Sequence, residues 1–198
     1  MSGSAPINVV LAGVGGQGIL LASEIVARAA MAAGFDVKTN EVHGMAQRGG
    51  SVIGQIRFGR EVHSPLVAVG TACVLASLER IEALRYAEYL APDGFAVVSS
   101  QMVAPLSVSS GQAQYPADAE ARLRRVFPRL LYLDAVQLAG QAGNVRTSNM
   151  IIVGALSTGL DLSVAAWHQA IRESVKDKYV EVNLRAFAVG AAQAGRQP

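Results

Sequence analysis

The run Val9-Val10-Leu11-Ala12-Gly13-Val14-Gly15-Gly16-Gln17-Gly18-Ile19-Leu20-Leu21 constrains this chain more than any other stretch. The apolar, β-branched segment Ile7 to Leu11 reads as a strand buried on both faces. A glycine-rich turn comes after it, and a helix expected over Gly18 to Ala33 begins without a break. Gly13, Gly15 and Gly18 have the G-x-G-x-x-G spacing, with Gly16 and Gln17 filling it. In that pattern the first glycine turns the chain and the second admits a ligand or another backbone. The third lets helix pack on strand. The helix N-terminus aims unpaired N–H groups over the turn, which suits an anion. The same glycines could serve packing alone, so the pattern by itself leaves the ligand open.

The rest of the chain alternates strands and helices. Gly34 stops the first helix, Phe35 to Asn40 reads as a second strand, and residues 7–41 make a βαβ-sized unit. Ser51 to Phe58 alternates in polarity, and Gly59-Arg60 is placed to turn it into a hairpin with Glu61-Val62-His63. A strand over Cys73 to Ser77 precedes a helix over Leu78 to Leu90. Pro92-Asp93-Gly94 reads as a turn before a strand over Phe95 to Val98. An uncharged loop over Ser99 to Pro116, a helix over Asp118 to Phe127 and a strand over Leu130 to Leu133 come next. Helices over Thr147 to Leu160, Ser163 to Val175 and Tyr179 to Ala192 close the chain. The expected fold is α/β, a Rossmann-like three-layer domain. It has a mostly parallel sheet, a β-hairpin excursion after the second strand and C-terminal helices, in one domain over 1–198.

Composition excludes several functions. With 17 basic against 15 acidic residues, the net charge of +2 gives no field that would draw nucleic acid or an anionic membrane. Charged residues make up 16% of the chain, against about 25% in typical soluble domains. An Ala- and Gly-rich bias explains that, or a surface covered by a partner. The single cysteine, Cys73, cannot close an intrachain disulfide. Nor can it hold an iron–sulfur cluster, which takes about four Cys ligands. The N-terminus lacks the pattern of a signal peptide, and no apolar run reaches the roughly 20 residues of a membrane span, so a cytoplasmic, soluble protein is expected.

Ligand chemistry concentrates after the second strand. Glu41, 23 positions past Gly18, opens the loop and is the one acidic candidate for a ribose ligand. It could equally anchor the loop by accepting backbone N–H bonds. Gly44, Gly49 and Gly50 expose amides, and Arg48 adds a planar fork suited to phosphate or carboxylate, unless it makes a structural ion pair. Nothing in sequence pairs with His43, and His63 and His168 have no metal-ligand spacing. No catalytic acid, base or nucleophile and no metal site is assigned.

Gly13-Val14-Gly15-Gly16-Gln17-Gly18 followed by Glu41-Val42-His43-Gly44-Met45-Ala46-Gln47-Arg48-Gly49-Gly50-Ser51-Val52 resembles the gamma subunit or domain of the 2-oxoacid:ferredoxin oxidoreductases. Within that family the chain is similar to the small beta subunit of the indolepyruvate enzymes. The likeness covers nearly the whole chain, including Ser64-Pro65 and Asn149 ahead of Ile151-Ile152-Val153-Gly154-Ala155. It implies an enzyme that oxidatively decarboxylates aryl pyruvates with coenzyme A as co-substrate and passes electrons to ferredoxin. It also implies that thiamine diphosphate, its magnesium ion and the [4Fe-4S] clusters reside on a large catalytic partner subunit. By resemblance, this chain holds none of them alone. Gly13, Gly15, Gly16, Gln17, Gly18, Glu41, Gly44, Met45, Gln47, Arg48, Gly49, Gly50 and Asn149 become the cofactor-facing candidates. A free-standing NAD(P)-binding oxidoreductase and a nucleotide-binding interaction module are the alternatives.

Overall fold

The computed structural model describes residues 5–43, 49–104, 108, 111 and 114–195. Among them, six strands form one sheet: β1 (Ile7–Val14), β2 (Asp36–His43), β3 (Ser51–Gly59), β4 (Ala72–Ser77), β5 (Leu90–Ser99) and β6 (Leu130–Leu133). The helices are α1 (Ile19–Ala32), α2 (Arg80–Arg85), α3 (Ala119–Val126), α4 (Ala135–Ala142), α5 (Ser148–Ser157), α6 (Val164–Ser174) and α7 (Asp177–Ala194). Short 3-10 turns lie at Ala87–Tyr89 and Val145–Thr147.

The strand order is β2-β3-β1-β4-β5-β6, with β3 antiparallel to both neighbours and the other pairs parallel. Alternation along each strand feeds two cores. Val9, Leu11, Val74, Ala76 and Val97 pack under α1 and α4 to α7. Val10, Ala72, Leu75, Ala96 and Val98 pack against α2, α3 and Val67 of the β3–β4 connector. This is the three-layer α/β arrangement expected.

Helix α5 is apolar all round because it is enclosed. Met150 to Val153, Ala155 and Leu156 have no exposed surface, as a helix inside the layer must. It crosses α7 backbone to backbone. A Cβ on Gly154 would lie 2.0 Å from the Phe187 carbonyl oxygen, and one on Gly190 2.0 Å from that of Ile151. At the end of α1, Gly34 takes φ +86. Its N–H donates to the Met31 carbonyl and that of Phe35 to the Ala30 carbonyl, satisfying the last acceptors in a Schellman ending.

Several expectations are corrected. β1 and β2 are not adjacent, since β3 is inserted between them, so residues 7–41 are not a simple βαβ unit. The hairpin after the second strand is made by β2 with β3, not by β3 with 61–63. Residues 60–71 form no strand among the described residues and are held to the sheet by side chains. Gln55 Oε1 accepts from Val67 N at 2.7 Å, Asp36 Oδ2 from Val62 N at 2.8 Å, and Arg57 donates to the Ser64 carbonyl at 2.8 Å. The helix expected to reach Leu90 stops at Arg85. Pro92-Asp93-Gly94 lies inside β5, where the pairing with β4 slips between Ala72↔Leu90 and Val74↔Phe95. Helix α4, capped by Asp134 onto Gln137 N at 2.9 Å, adds an element that the sequence reading lacks.

Candidate functional site

The glycine turn is built from the end of β1, which runs two residues past Ala12. Gly13 therefore lies in the strand, paired with Val52, and does not make the turn. Its missing side chain leaves room for Gln17 and Ile19: a Cβ there would meet Ile19 Cδ1 at 2.7 Å and Gln17 Oε1 at 2.9 Å. The turn itself needs Gly16 and Gly18, at φ +103 and +85, in a left-handed region that a side chain disfavours. Gly15 takes a third part, donating to the Gly50 carbonyl at 2.8 Å and accepting from Gly49 N at 3.3 Å. That reciprocal pair joins the glycine turn to the start of β3, so the two predicted glycine clusters do meet.

Gln17 fixes the turn from inside. Its Oε1 accepts from Val14 N at 2.7 Å, and its Nε2 donates to the Leu78 carbonyl and to Gln101 Oε1, each at 2.9 Å. Both amide hydrogens are used, and they bridge the carboxyl ends of β1, β4 and β5. The crevice where open α/β sheets receive ligands is thus spanned by the chain's own side chains. Asn149, 131 residues after Gly18 in sequence, is packed against it: its Nδ2 donates to the Gly18 carbonyl at 3.4 Å and its Oδ1 accepts from Met150 N at 3.0 Å.

On the outer side of the turn a cavity of about 570 Å³ is lined by Val14, Gly15, Gly16, Gly18, Ile19, Leu20, Leu21, His43 and Val52. Its floor is the start of α1, whose N-cap is Gly18, without a side-chain cap and without an acidic residue in the first turn. The first helical bond runs from Ala22 N to the Gly18 carbonyl. The N–H groups of Ile19, Leu20 and Leu21 thus have no helical acceptor, the condition under which a helix N-terminus receives an anion. The walls are apolar. The cavity suits a ligand with an anionic part and an apolar part.

Glu41 departs most from expectation. It sits inside β2 and opens no loop. Glu41 pairs with Gly54, which pairs with Leu11, so it lies two strands from β1 and three residues below Val14. Its carboxyl faces the groove between β2 and α1, beside Glu24 and Arg28. Partial burial, and then the charge of Glu24, raise its pKa. The structure does not bring Glu41 to the glycine turn. Gly44, Met45, Gln47 and Arg48 fall at 44–48, outside the described residues.

Sequence reasoning misses a buried acidic network beneath the site. Glu79 is 1% exposed and caps α2: its carboxylate accepts from Ile81 N at 2.6 Å, Glu82 N at 2.9 Å and Val103 N at 3.3 Å, and from the Tyr115 hydroxyl. Burial, and then that bond to Glu79, raise the pKa of Tyr115. Glu82 accepts from the Ser51 hydroxyl, which also meets the Tyr86 hydroxyl at 2.9 Å. The signal available is Glu79-Arg80-Ile81-Glu82 directly after an apolar strand, a capping pattern hidden by a helix expected to begin at Leu78.

Among the described residues, no group of three or more His, Cys, Asp or Glu could hold a metal ion. Cys73 is half-buried and donates its thiol to the Asn8 carbonyl at 3.2 Å, and burial raises its pKa. It is unlike a reactive or ligating cysteine. No helix among the described residues is long and apolar enough to cross a membrane.

The domain thus presents a glycine-lined rim at the carboxyl end of β1. Residues 8–193 match the family described as pyruvate ferredoxin/flavodoxin oxidoreductase, and the chain belongs to that family. It is 44% identical to the indolepyruvate oxidoreductase subunit IorB of Archaeoglobus fulgidus over 192 residues, covering 95% of each chain. With IorB of Thermococcus kodakarensis the identity is 43%, covering 94% of this chain and 95% of that one. The gamma subunit of a keto/oxoacid ferredoxin oxidoreductase from Geobacter sulfurreducens shares the fold at a TM-score of 0.71 and 21% identity, covering 96% of this chain and 99% of that chain. A 2-oxoglutarate:ferredoxin oxidoreductase from Magnetococcus marinus, solved with 2-oxoglutarate, coenzyme A and succinyl-CoA bound, shares it at a TM-score of 0.73 and 19% identity. There the match covers 98% of this chain but 32% of that chain.

Proposed function

We propose that this chain is the small subunit of a cytoplasmic indolepyruvate-type 2-oxoacid:ferredoxin oxidoreductase, which converts aryl pyruvates to acyl-CoA and passes the electrons to ferredoxin. The observation that carries this is the 44% identity to an IorB subunit over nearly the full chain. The cysteine count supports it, because one half-buried thiol cannot ligate a cluster that takes about four. Thiamine diphosphate with its magnesium ion, and the [4Fe-4S] clusters, belong on the large catalytic subunit, where they would supply decarboxylation and electron transfer.

The part played by this chain is to complete a site begun on the other. The glycine turn and the first turn of α1 present N–H donors to an anionic group, and coenzyme A carries several. Leu20, Val14 and Val52 keep water from its apolar part. Gln17 and Asn149 hold the turn without being spent on ligand. Arg48, Gln47, Met45 and Gly44 are cofactor-facing candidates through family resemblance alone. A free-standing NAD(P) enzyme fits less well: Glu41 is one strand further from β1 than a ribose ligand needs to be, and Gln17 spans the crevice.

Co-expression with a large subunit tests the reading. The isolated chain is expected to be inactive, and the heteromer to be brown and to reduce ferredoxin with indolepyruvate and coenzyme A. Turnover that persists when this chain is omitted, or tight NAD(P) binding by the chain alone in calorimetry, would overturn it.

A further inference from the structure

A second concavity, of about 540 Å³, adjoins the glycine-turn cavity through Leu21 and Asn149. It lies between the start of α1, the 144–149 turn and the α6–α7 junction. Its apolar lining includes Leu21, Val175 and Val182, with Tyr179 42% exposed at the edge. Arg146 and Lys176 also line it, both exposed and neither in an ion pair with a carboxylate among the described residues. Lys178 stands nearby, its ammonium 4.9 Å from the Tyr179 ring centre. Among the described residues, no carboxylate lines the groove. Glu173 is engaged with Arg28 at 3.6 Å, and Asp177 is in the first turn of α7, outside the lining.

Unpaired cations on an apolar floor, with an exposed Tyr and the 57% exposed Val145 alongside, make the composition of a protein interface, where Tyr and Arg are enriched. A small polar ligand would leave that apolar rim wet. We infer that this groove docks an acidic segment of the large catalytic subunit, its carboxylates meeting Arg146 and Lys176. The inference rests on the subunit reading above and adds the surface and the charge of its partner. It also places the contact next to the glycine turn, so assembly itself would orient the ligand-facing rim.

The test uses the purified heteromer. Arg146→Glu combined with Lys176→Glu is expected to raise the dissociation constant of the complex about tenfold or more, as charge reversal at a close interfacial pair does. The loss should ease as added salt screens the repulsion. Zero-length carbodiimide coupling of the wild-type complex should join Lys176 to an Asp or Glu of the large subunit. Thermal unfolding of the isolated variant controls for folding, since both side chains are exposed. Unchanged assembly without a Lys176 cross-link would overturn the docking proposal. So would intact assembly with a raised KM for coenzyme A, which would make the groove a small-anion site. A wild-type chain that forms no complex with a large subunit would instead sink the subunit reading, and the docking proposal with it.

Discussion

Gln17 donates its side-chain amide to the side-chain oxygen of Gln101 at 2.9 Å, across 84 residues of sequence. With the bonds to Val14 N and the Leu78 carbonyl, this makes one side chain the meeting point of three strand ends.

Replacing Gln17 with Ala leaves those three partners without it, and each buried polar group left unpaired costs about 1–3 kcal/mol. Gln17→Glu should be worse at neutral pH, because a carboxylate would face two oxygen acceptors where the amide donated. Urea unfolding of the two variants checks the order. Equal stability of wild type and Gln17→Glu would contradict the network.

Gly18→Ala meets two obstacles. The left-handed backbone costs a side chain about 1–2 kcal/mol, and the new Cβ would sit 2.7 Å from Asn149 Nδ2. Asn149→Ala removes the second obstacle and not the first. The double variant should therefore be more stable than the sum of the two single changes, by at least about 0.5 kcal/mol of coupling. Strict additivity in a double-mutant cycle would show that the two residues do not touch.

Asp36 gives a pH dependence with a definite sign. The bond from Lys38, and then the Val62 N–H, hold its pKa below the ordinary 3.8. A carboxylate depressed by folding contributes stability that is fully present above the unfolded value and is lost as pH falls through the folded one. The stability difference between wild type and Asp36→Asn should thus be constant from neutral pH to about 4, and shrink below 3.8. Urea titrations at pH 5 and pH 3 measure it. An undiminished difference at pH 3 would show that the ionised form is not what holds the 60–71 connector.

Cys73→Ala should leave the iron content of the heteromer and its visible spectrum unchanged, since the thiol is spent on the Asn8 carbonyl. A drop in iron on that single substitution would place a cluster ligand on this chain and reassign the cofactors. Slow labelling of Cys73 by a thiol reagent in the native chain is the companion result, because burial disfavours the thiolate.

What can be read from sequence is local. The turn Gly15-Gly16-Gln17-Gly18, the stop at Gly34 and the Ser163 cap, which accepts from Ala166 N at 3.2 Å, depend on neighbours a few residues away. The position of Glu41 depends instead on which strand lies beside β1. That is a pairing choice between distant segments, and inserting β3 moves Glu41 one strand outward by roughly 4.8 Å. The helix from Leu78 overextends in sequence for the same reason: Leu90 pairs with Ala72, so the sheet claims residues that helical periodicity also fits. Asn149 is a candidate through family resemblance alone, because nothing in its own surroundings announces a partner at Gly18. Gln17 reads in sequence as a ligand contact, and its amide turns inward.

Since β2 and β3 are antiparallel neighbours, the chain has no need to cross the sheet between His43 and Ser51. Both stems are clamped, the outgoing one by strand pairing up to His43↔Val52 and the returning one at Gly15. Lengthening a connection between two fixed ends adds only about 0.6 kcal/mol for each doubling. Residues could therefore be inserted between His43 and Gly49 at little cost to the six-stranded scaffold, because the strands on either side are held by their own pairing.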